Sequence, residues 1–424
     1  GWVTFVRPAM VTLTRRGWYT MSGVSTLEDT FTNLDRVYHA FKIKPLEKTI
    51  NPSSELNVQL ESTIQKIDKN LWNNLLGGNG VFDWEGLKFL EDVFTNNGLN
   101  EHNWEFRYLI IRDKDLKPIL ATFFTLSLWK DDMLSKPSVS DKIEKERLIN
   151  PYYLTSKVVS MGSLFTEGEH IYLDRDHYQA EYSLNVMMQT LEKLEQNLDA
   201  KMVALRDFDS EGRLNQFFHG QGFIKVQMPN SCQVRFKENQ TIKNYIEELS
   251  TRNRRHYRKE ILAFEPQFEV RFLKSLEKQW LKQIKGLYNN VHKNNLGLNT
   301  FSFPDSLFSE MSKHPNWEFI TLSLKDNPNE LIGVMLCYNN LDQTYIPAFV
   351  GLNYDYVKSH HIYRQLLYQT IKRAIDLNFK RLDFGMTASF EKRKLGATVS
   401  EKFAYIQVSD NYSIELLGIM ENHR

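Results

Sequence analysis

Apolar residues recur along this chain in two rhythms, every second position in short runs and every third or fourth in longer ones. Their alternation predicts an α/β protein. Period-two runs at 107–112 and 119–129, joined by a polar turn at 113–118, form a β-hairpin. Shorter strands follow at 157–160 and 170–173 around a glycine-containing turn, 161–168. A helix over 178–198 then places Leu184, Met187, Met188, Leu191, Leu194 and Leu198 on one stripe. A strand at 202–206, a helix at 213–219 and a strand at 222–226 complete this set, which two helices, 58–75 and 83–96, precede. Residues 130–146, charged and holding Pro137, read as a polar connection.

The same order then recurs. Helices are expected over 242–264, 276–290 and 304–313, a hairpin over 317–324 and 331–338, and strands at 344–350, 381–384 and 403–408. A helix over 361–377 lies between the first two of those strands. This echo predicts tandem α/β units with mixed, mostly antiparallel sheets, split near 236, in place of one large sheet. Ahead of them, strands at 11–14 and 17–21, a helix entered through the capping-box spacing of Ser25 and Glu28, and a polar linker over 44–54 predict a small α+β appendage. The expected units are 1–55, 56–235 and 236–424.

Composition narrows the function. With 424 residues, 42% of them hydrophobic, the chain can bury two cores. Lys plus Arg number 53 against 52 Asp plus Glu, a net charge of +1, which argues against a nucleic-acid coat or a polybasic membrane binder. Two cysteines exclude a disulfide scaffold or a cysteine-based zinc site, and a reducing cytoplasm is the expected setting. No apolar run approaches the roughly 18–20 residues of a membrane helix. The opening residues Gly1 to Pro8 lack both a signal-peptide pattern and an initiator Met, as a fragment or processed product would.

The richest chemistry lies between Tyr345 and Gly396. A strand leads through a loop into the helix near His361, and a helix start offers free N–H groups and a positive dipole end to an anion. Lys358, His360, His361 and Arg364 gather there, with Ile362 in the first turn; the alternative is a solvated basic loop. No third His or carboxylate stands at ligand spacing to the paired histidines, so no metal is expected. Asp383 ends a strand before Gly385, placed either to take a proton or to pair structurally with Arg381 or Lys392. On the basic helix, Arg252, Arg255, Arg258 and Lys259 form either a solvated face or a wall for phosphates. Glu167, Arg206 and Asp207 stand at the ends of first-unit elements, where they can line an acceptor pocket; the alternative for the turn 161–168 is a tight turn that only closes a hairpin.

These residues carry a resemblance. Gly351, the helix Tyr363-Arg-Gln-Leu-Leu-Tyr-Gln-Thr-Ile-Lys-Arg-Ala374, Asp383-Phe-Gly385 and Lys392-Arg-Lys-Leu-Gly396 resemble the C-terminal lobe of GNAT-superfamily acyltransferases of the FemAB-like, BioF-associated branch. The resemblance extends in outline over roughly 60–415. It implies tandem GNAT-like lobes and acyl transfer from acyl-CoA, as co-substrate, to a small-molecule amine. Asp383 is the first candidate base and Glu401 the second, and Tyr363 is the donor to the leaving thiolate. Lys358, His360, His361, Ile362, Arg364, Lys392 and Lys394 would hold the donor, and Glu167, Arg206, Asp207, Arg255 and Arg258 the acceptor side. The loop at Lys358 lacks the Arg/Gln-x-x-Gly-x-Gly/Ala pattern of ordinary acetyl-CoA enzymes, which leaves aminoacyl-tRNA open as donor. A catalytically silent binding module is the further alternative. The first ~45 residues also resemble the tail of fold-type I PLP enzymes, which implies a fusion partner; no Schiff-base lysine accompanies them, so no PLP is expected in this chain.

Overall fold

The structure, a computed structural model, describes residues 10–14, 17–21, 56–209, 213–294 and 298–408. Strands β1 (Met10–Thr14) and β2 (Gly17–Met21) form an antiparallel hairpin. The helix expected from Ser25 and the linker over 44–54 lie outside the described residues. The first half then runs β3 (Asn57–Glu61), α1 (Lys69–Leu76), α2 (Trp84–Val93), β4 (Glu105–Arg112), β5 (Pro118–Lys130), α3 (Pro137–Arg147), β6 (Thr155–Met161), β7 (Ile171–Leu173), α4 (Ala180–Asn197), β8 (Met202–Phe208), α5 (Arg213–Gly220) and β9 (Ile224–Arg235). The second half runs α6 (Ile242–Glu247), α7 (Thr251–Tyr257), β10 (Phe268–Leu273), α8 (Lys278–Asn294), α9 (Ser306–Lys313), β11 (Trp317–Leu324), β12 (Gly333–Asn340), β13 (Thr344–Leu352), α10 (Asp355–Ser359), α11 (Ile362–Asp376), β14 (Arg381–Gly385), α12 (Ser389–Lys394) and β15 (Thr398–Val408).

The mixed α/β architecture and mostly antiparallel strand pairing are as expected, but the sheet is continuous. Thirteen strands join in the order β10-β11-β12-β13-β14-β9-β15-β8-β6-β5-β4-β3, with β7 on β5. The expectation of separate sheets fails because the last strand of each half crosses over. The 12-residue β9 pairs with β14 of the second half, and the 11-residue β15 pairs with both β9 and β8. Among the described residues only two pairs are parallel, β6 with β8 and β13 with β14, and a helix (α4 or α11) crosses over within each.

Four local expectations need correction. Residues 57–61 form an edge strand on β4, not the start of a helix, since Val58 and Leu60 alternate as a strand requires. The connection at 130–146 holds α3, started by Pro137 in its first turn and anchored by buried Arg147 on Asp132 at 2.6 Å. The basic helix over 242–264 is broken at Glu248–Ser250 into α6 and α7, and α7 runs on into a π turn at Arg258–Leu262. Residues 268–273, left unassigned by the pattern, are the edge strand β10.

Packing joins the halves as firmly as the sheet does. Trp72, Phe82 and Phe89 share one core cluster with Trp317, Tyr338 and Phe349. Phe165, in the turn after β6, lies within 5.0 Å of Phe349 and 6.1 Å of Trp317, ring centre to centre, and so pins that turn against the second half. Truncating such a ring to Ala costs about 3–5 kcal/mol. No helix among the described residues is long and apolar enough to cross a membrane.

Candidate active site

Each parallel pair is bonded over a short stretch. The β6–β8 register ends at Ser160 opposite Ala204, and β13–β14 pairs only Thr344 with Arg381 and Tyr345 with Leu382. Beyond those points the polar strand ends converge. Glu167 comes from the turn after β6, Arg206 and Asp207 from the end of β8, Asp383 from β14 and Lys392 from α12.

Backbone amides hold the carboxylates. The N–H of Met386 donates to Glu167 Oε2 at 2.7 Å, that of Gly385 to Asp383 Oδ1 at 2.8 Å and that of Gly168 to Asp207 Oδ2 at 3.4 Å. Gly385 sits at φ +64°, and a Cβ there would stand 2.5 Å from Glu167 Oε2, so the close approach needs glycine. Asp207 itself adopts φ +65°, a costly conformation for a non-glycine residue and one met at functional sites. Lys392 is buried and donates to the carbonyls of Phe384 and Met386, both at 2.8 Å, which shapes the turn that presents these amides. Arg206 donates to the Ser163 carbonyl and lies 3.7 Å from Asp207.

Three carboxyl groups thus face two cations in a largely buried site, with Glu167 on its half-buried side. Burial, then Asp207 and Asp383, push Glu167 up to about 7, against the pull of Arg206 and Lys392. Burial also raises Asp207 and Asp383, and it lowers Lys392. Such a cluster exchanges a proton near neutral pH, which is what a general base requires. Among the described residues no group of three or more His, Cys, Asp or Glu side chains is spaced to hold a metal ion.

The entrance to α11 is built differently. His361 caps the helix at φ +54°, Ile362 is buried beneath it, and Lys358 is exposed. Arg364 donates to Glu391 at 2.9 Å and to Glu260 at 3.1 Å. His361 stands 3.3 Å from Glu260, and Lys394 the same distance from Glu391. The π turn carries Glu260 to this place. Burial acts to raise Glu391, but Arg364 and Lys394 hold it below the usual carboxylate range. His360 packs beside Tyr356, ring centres 5.2 Å apart.

The candidates from sequence therefore fall into three sets. Glu167, Arg206, Asp207, Asp383 and Lys392 meet in the cluster, with Lys392 turned inward and not toward the α11 entrance. His361, Arg364 and Lys394 meet at that entrance. Arg255, Arg258 and Glu401 are exposed and join neither network; Tyr363 is half-buried, its hydroxyl pushed up chiefly by burial. Sequence reasoning gave no site role to Glu260 and Glu391, whose bonds to Arg364 span 104 and 27 positions, or to His170, which looks like an ordinary strand residue.

Residues 248–393 match the family described as Acetyltransferase (GNAT) domain. No curated protein matches the chain. Among solved structures, N-myristoyltransferase of Saccharomyces cerevisiae with bound myristoyl-CoA is similar at 10% identity, covering 92% of this chain and 83% of that one, with a TM-score of 0.48. A GCN5-related N-acetyltransferase from Sphaerobacter thermophilus is similar at 9% identity over 83% and 95%, with a TM-score of 0.43. The C-terminal domain of a putative lysylphosphatidylglycerol synthetase from Agrobacterium fabrum is similar at 10% identity over 62% and 84%, with a TM-score of 0.41. The span from 248 to 393 takes in the α11 entrance, Asp383 and Lys392, and over it this chain matches the GNAT acetyltransferase domain.

Proposed function

We propose that this chain is an N-acyltransferase of the FemAB-like branch, moving an acyl group from acyl-CoA to a small-molecule amine. The two halves divide the work: residues 236–424 seat the donor at the α11 entrance, and residues 56–235 bring Glu167, Arg206 and Asp207 to the acceptor. The observation that carries this reading is Glu167, a carboxyl pushed up to about 7 beside Asp383. Acyl-CoA supplies a thioester whose carbon–sulfur bond is exchanged for the new amide bond. Glu167, held by the Met386 amide, takes the proton that the acceptor ammonium must lose. Asp383 and Asp207 keep the local field negative, which draws the amine in as a cation. Tyr363 retains its proton and can hydrogen-bond the departing thiolate. Glu401, exposed on β15, is assigned no step. The two cysteines are free and buried, which suits a reducing cytoplasm.

Calorimetric titration with acetyl-CoA and longer acyl-CoAs tests the donor, and turnover with a panel of amines tests the acceptor. A second reading, aminoacyl-tRNA as donor, is favoured by Arg252, Arg255, Arg258 and Lys259, all exposed and with no side-chain partner among the described residues. Silence toward every acyl-CoA, with binding to tRNA that falls steeply with salt, would replace the first reading with the second. Binding without turnover for any amine would leave a ligand-binding module.

A further inference from the structure

His170 is buried beside the cluster, and its two ring nitrogens face different groups. Nε2 lies 3.0 Å from the hydroxyl of Thr166. Nδ1 makes no hydrogen bond that meets normal geometry, yet stands 3.5 Å from Asp207 Oδ2. The direction of the protons follows from counting. Ser163 Oγ accepts from the amides of Phe165 and Thr166, both at 3.2 Å, so its own proton points toward Thr166 Oγ1 at 3.1 Å. Thr166 Oγ1 also accepts from the Ser163 amide at 3.1 Å, and its proton goes to the nearer of two remaining acceptors, His170 Nε2 at 3.0 Å over the Ser163 carbonyl at 3.5 Å. The ring then carries its one hydrogen on Nδ1, the nitrogen 3.5 Å from Asp207 Oδ2, where it acts as a nearby dipole and not as a formed hydrogen bond.

We infer that the Ser163–Thr166–His170 chain is a positioning relay that fixes the charge on Asp207 and thereby decides that Glu167 is the carboxyl of the cluster that takes up the proton. His170 acts through Asp207 and touches no reacting atom. The ring is held in place on all sides. Phe82 and Phe123 pack on it at 4.8 and 5.6 Å, and a Cβ at Gly162 would stand 2.5 Å from Nε2. The charged groups facing it are Asp207 and Arg206 from β8 and Lys402 from β15; burial, Arg206 and Lys402 all keep the ring neutral, so it serves as a fixed dipole beside Asp207 and not as a titrating base. Around Asp207 stand Arg206, Lys402, Glu167 and the Gly168 amide.

This inference deepens the proposed role of Glu167, but its test is made on the resting protein and needs no turnover. Long-range ¹⁵N correlation spectra of the histidine rings, with His170 assigned through H170N, should show the Nδ1–H tautomer; the Nε2–H tautomer would overturn the relay. Infrared titration of the Glu167 carboxyl, assigned through E167Q, should read a midpoint near 7 in the native protein. In H170L, Asp207 loses the N–H dipole beside it and competes for the proton, so the Glu167 midpoint should fall by about one unit. H170N, whose amide nitrogen sits where Nδ1 was, should restore it. If H170L does not fold, T166V cuts the same chain one step upstream and should move the midpoint the same way by less. An unmoved Glu167 midpoint in the folded variant overturns the inference, while loss of acyl transfer alone would bear only on the function.

Discussion

The two crossover helices hold equivalent places, each linking the strands of a parallel pair, and their N-termini carry opposite charge. The approach to α4 brings Asp174, Asp176 and first-turn Glu181. Nearby, His177 is tied to Asp113 at 3.1 Å and Lys117 to Asp174 at 2.8 Å. The chain's own carboxylates thus answer the positive end of that helix. The start of α11 has no acidic residue in its first turn and has Arg364 there instead, with Lys358, His360 and His361 just before it. Its acids, Glu260 and Glu391, arrive from other elements and pair with Arg364 without capping the helix. One topology therefore gives a helix start flanked by acids in the first half and one flanked by cations in the second. The first half instead lends Glu167, from the turn after β6, and Asp207, from the end of β8, to the carboxyl cluster.

The hardest blow to this division of labour is struck at Glu167. E167Q keeps the acceptor for the Met386 amide but cannot take a proton, so turnover should fall by about 10²–10⁴-fold while acyl-CoA still binds. Full activity in E167Q would show the first half to be a bystander. In the native protein the same group sets the pH profile. Glu167 must be ionised to act, so kcat/KM should rise about tenfold per pH unit below 7 and level off above it. A rate flat from pH 5 to 8 would remove Glu167 from the reaction.

Much of this plan could be read from the sequence, because strand alternation and helix stripes are local. The α4 stripe is an example: Leu184, Met187, Leu191 and Leu194 are all buried. What could not be read depends on distant partners. Helix α3 looked like a loop since its anchor, the buried Arg147–Asp132 pair, is invisible in a hydropathy pattern, while Pro137 is as common at a helix start as in a turn. The exchange of β9 and β15 left no trace either, since a long strand reads the same whichever edge it joins. Glu167 and Asp383 each stood out as a polar strand or turn end. Their meeting, and the proton affinity it creates, rests on a bond between Glu167 and the amide of Met386, 219 positions away. Arg364 stood out as a cation, whereas the carboxylates that restrain it did not.

That restraint sharpens the contrast between the two helix starts at a smaller scale. R364Q leaves Glu260 with only His361 and Glu391 with only Lys394 beside the donor's proposed seat, and should weaken acyl-CoA binding about tenfold. E260Q removes a competing negative charge and should tighten it severalfold, less at high salt. At the α4 start, the double change D174N/D176N should leave acyl-CoA affinity unchanged in the same calorimetric titration. A donor response to the α4 pair would mean that both helices bind it, and the asymmetry drawn above would be wrong.

The mildest test is thermodynamic and sets a carboxyl that handles protons against one that fastens a loop. Glu167 titrates near 7 in the folded chain against an ordinary 4.5, so the folded state holds its proton more tightly than the unfolded state does. The stability this contributes is fully present below about 4.5 and is lost as the pH rises through about 7. E167Q is neutral throughout; it should match the native protein in urea unfolding at pH 4 and exceed it by about 3 kcal/mol at pH 8.5, the gain of not burying a charge. Asp113 has the opposite sign. The Lys117 amide, then His177, hold it below the usual carboxylate range, so its contribution is present at neutral pH and disappears as the pH falls through its folded value. D113N should therefore be less stable than the native chain at pH 7 and converge with it in acid. A variant of Glu167 that is inactive and yet more stable above neutrality would mark that carboxyl as kept at a cost to the fold, and one that is inactive and less stable at every pH would mark it as an ordinary strut.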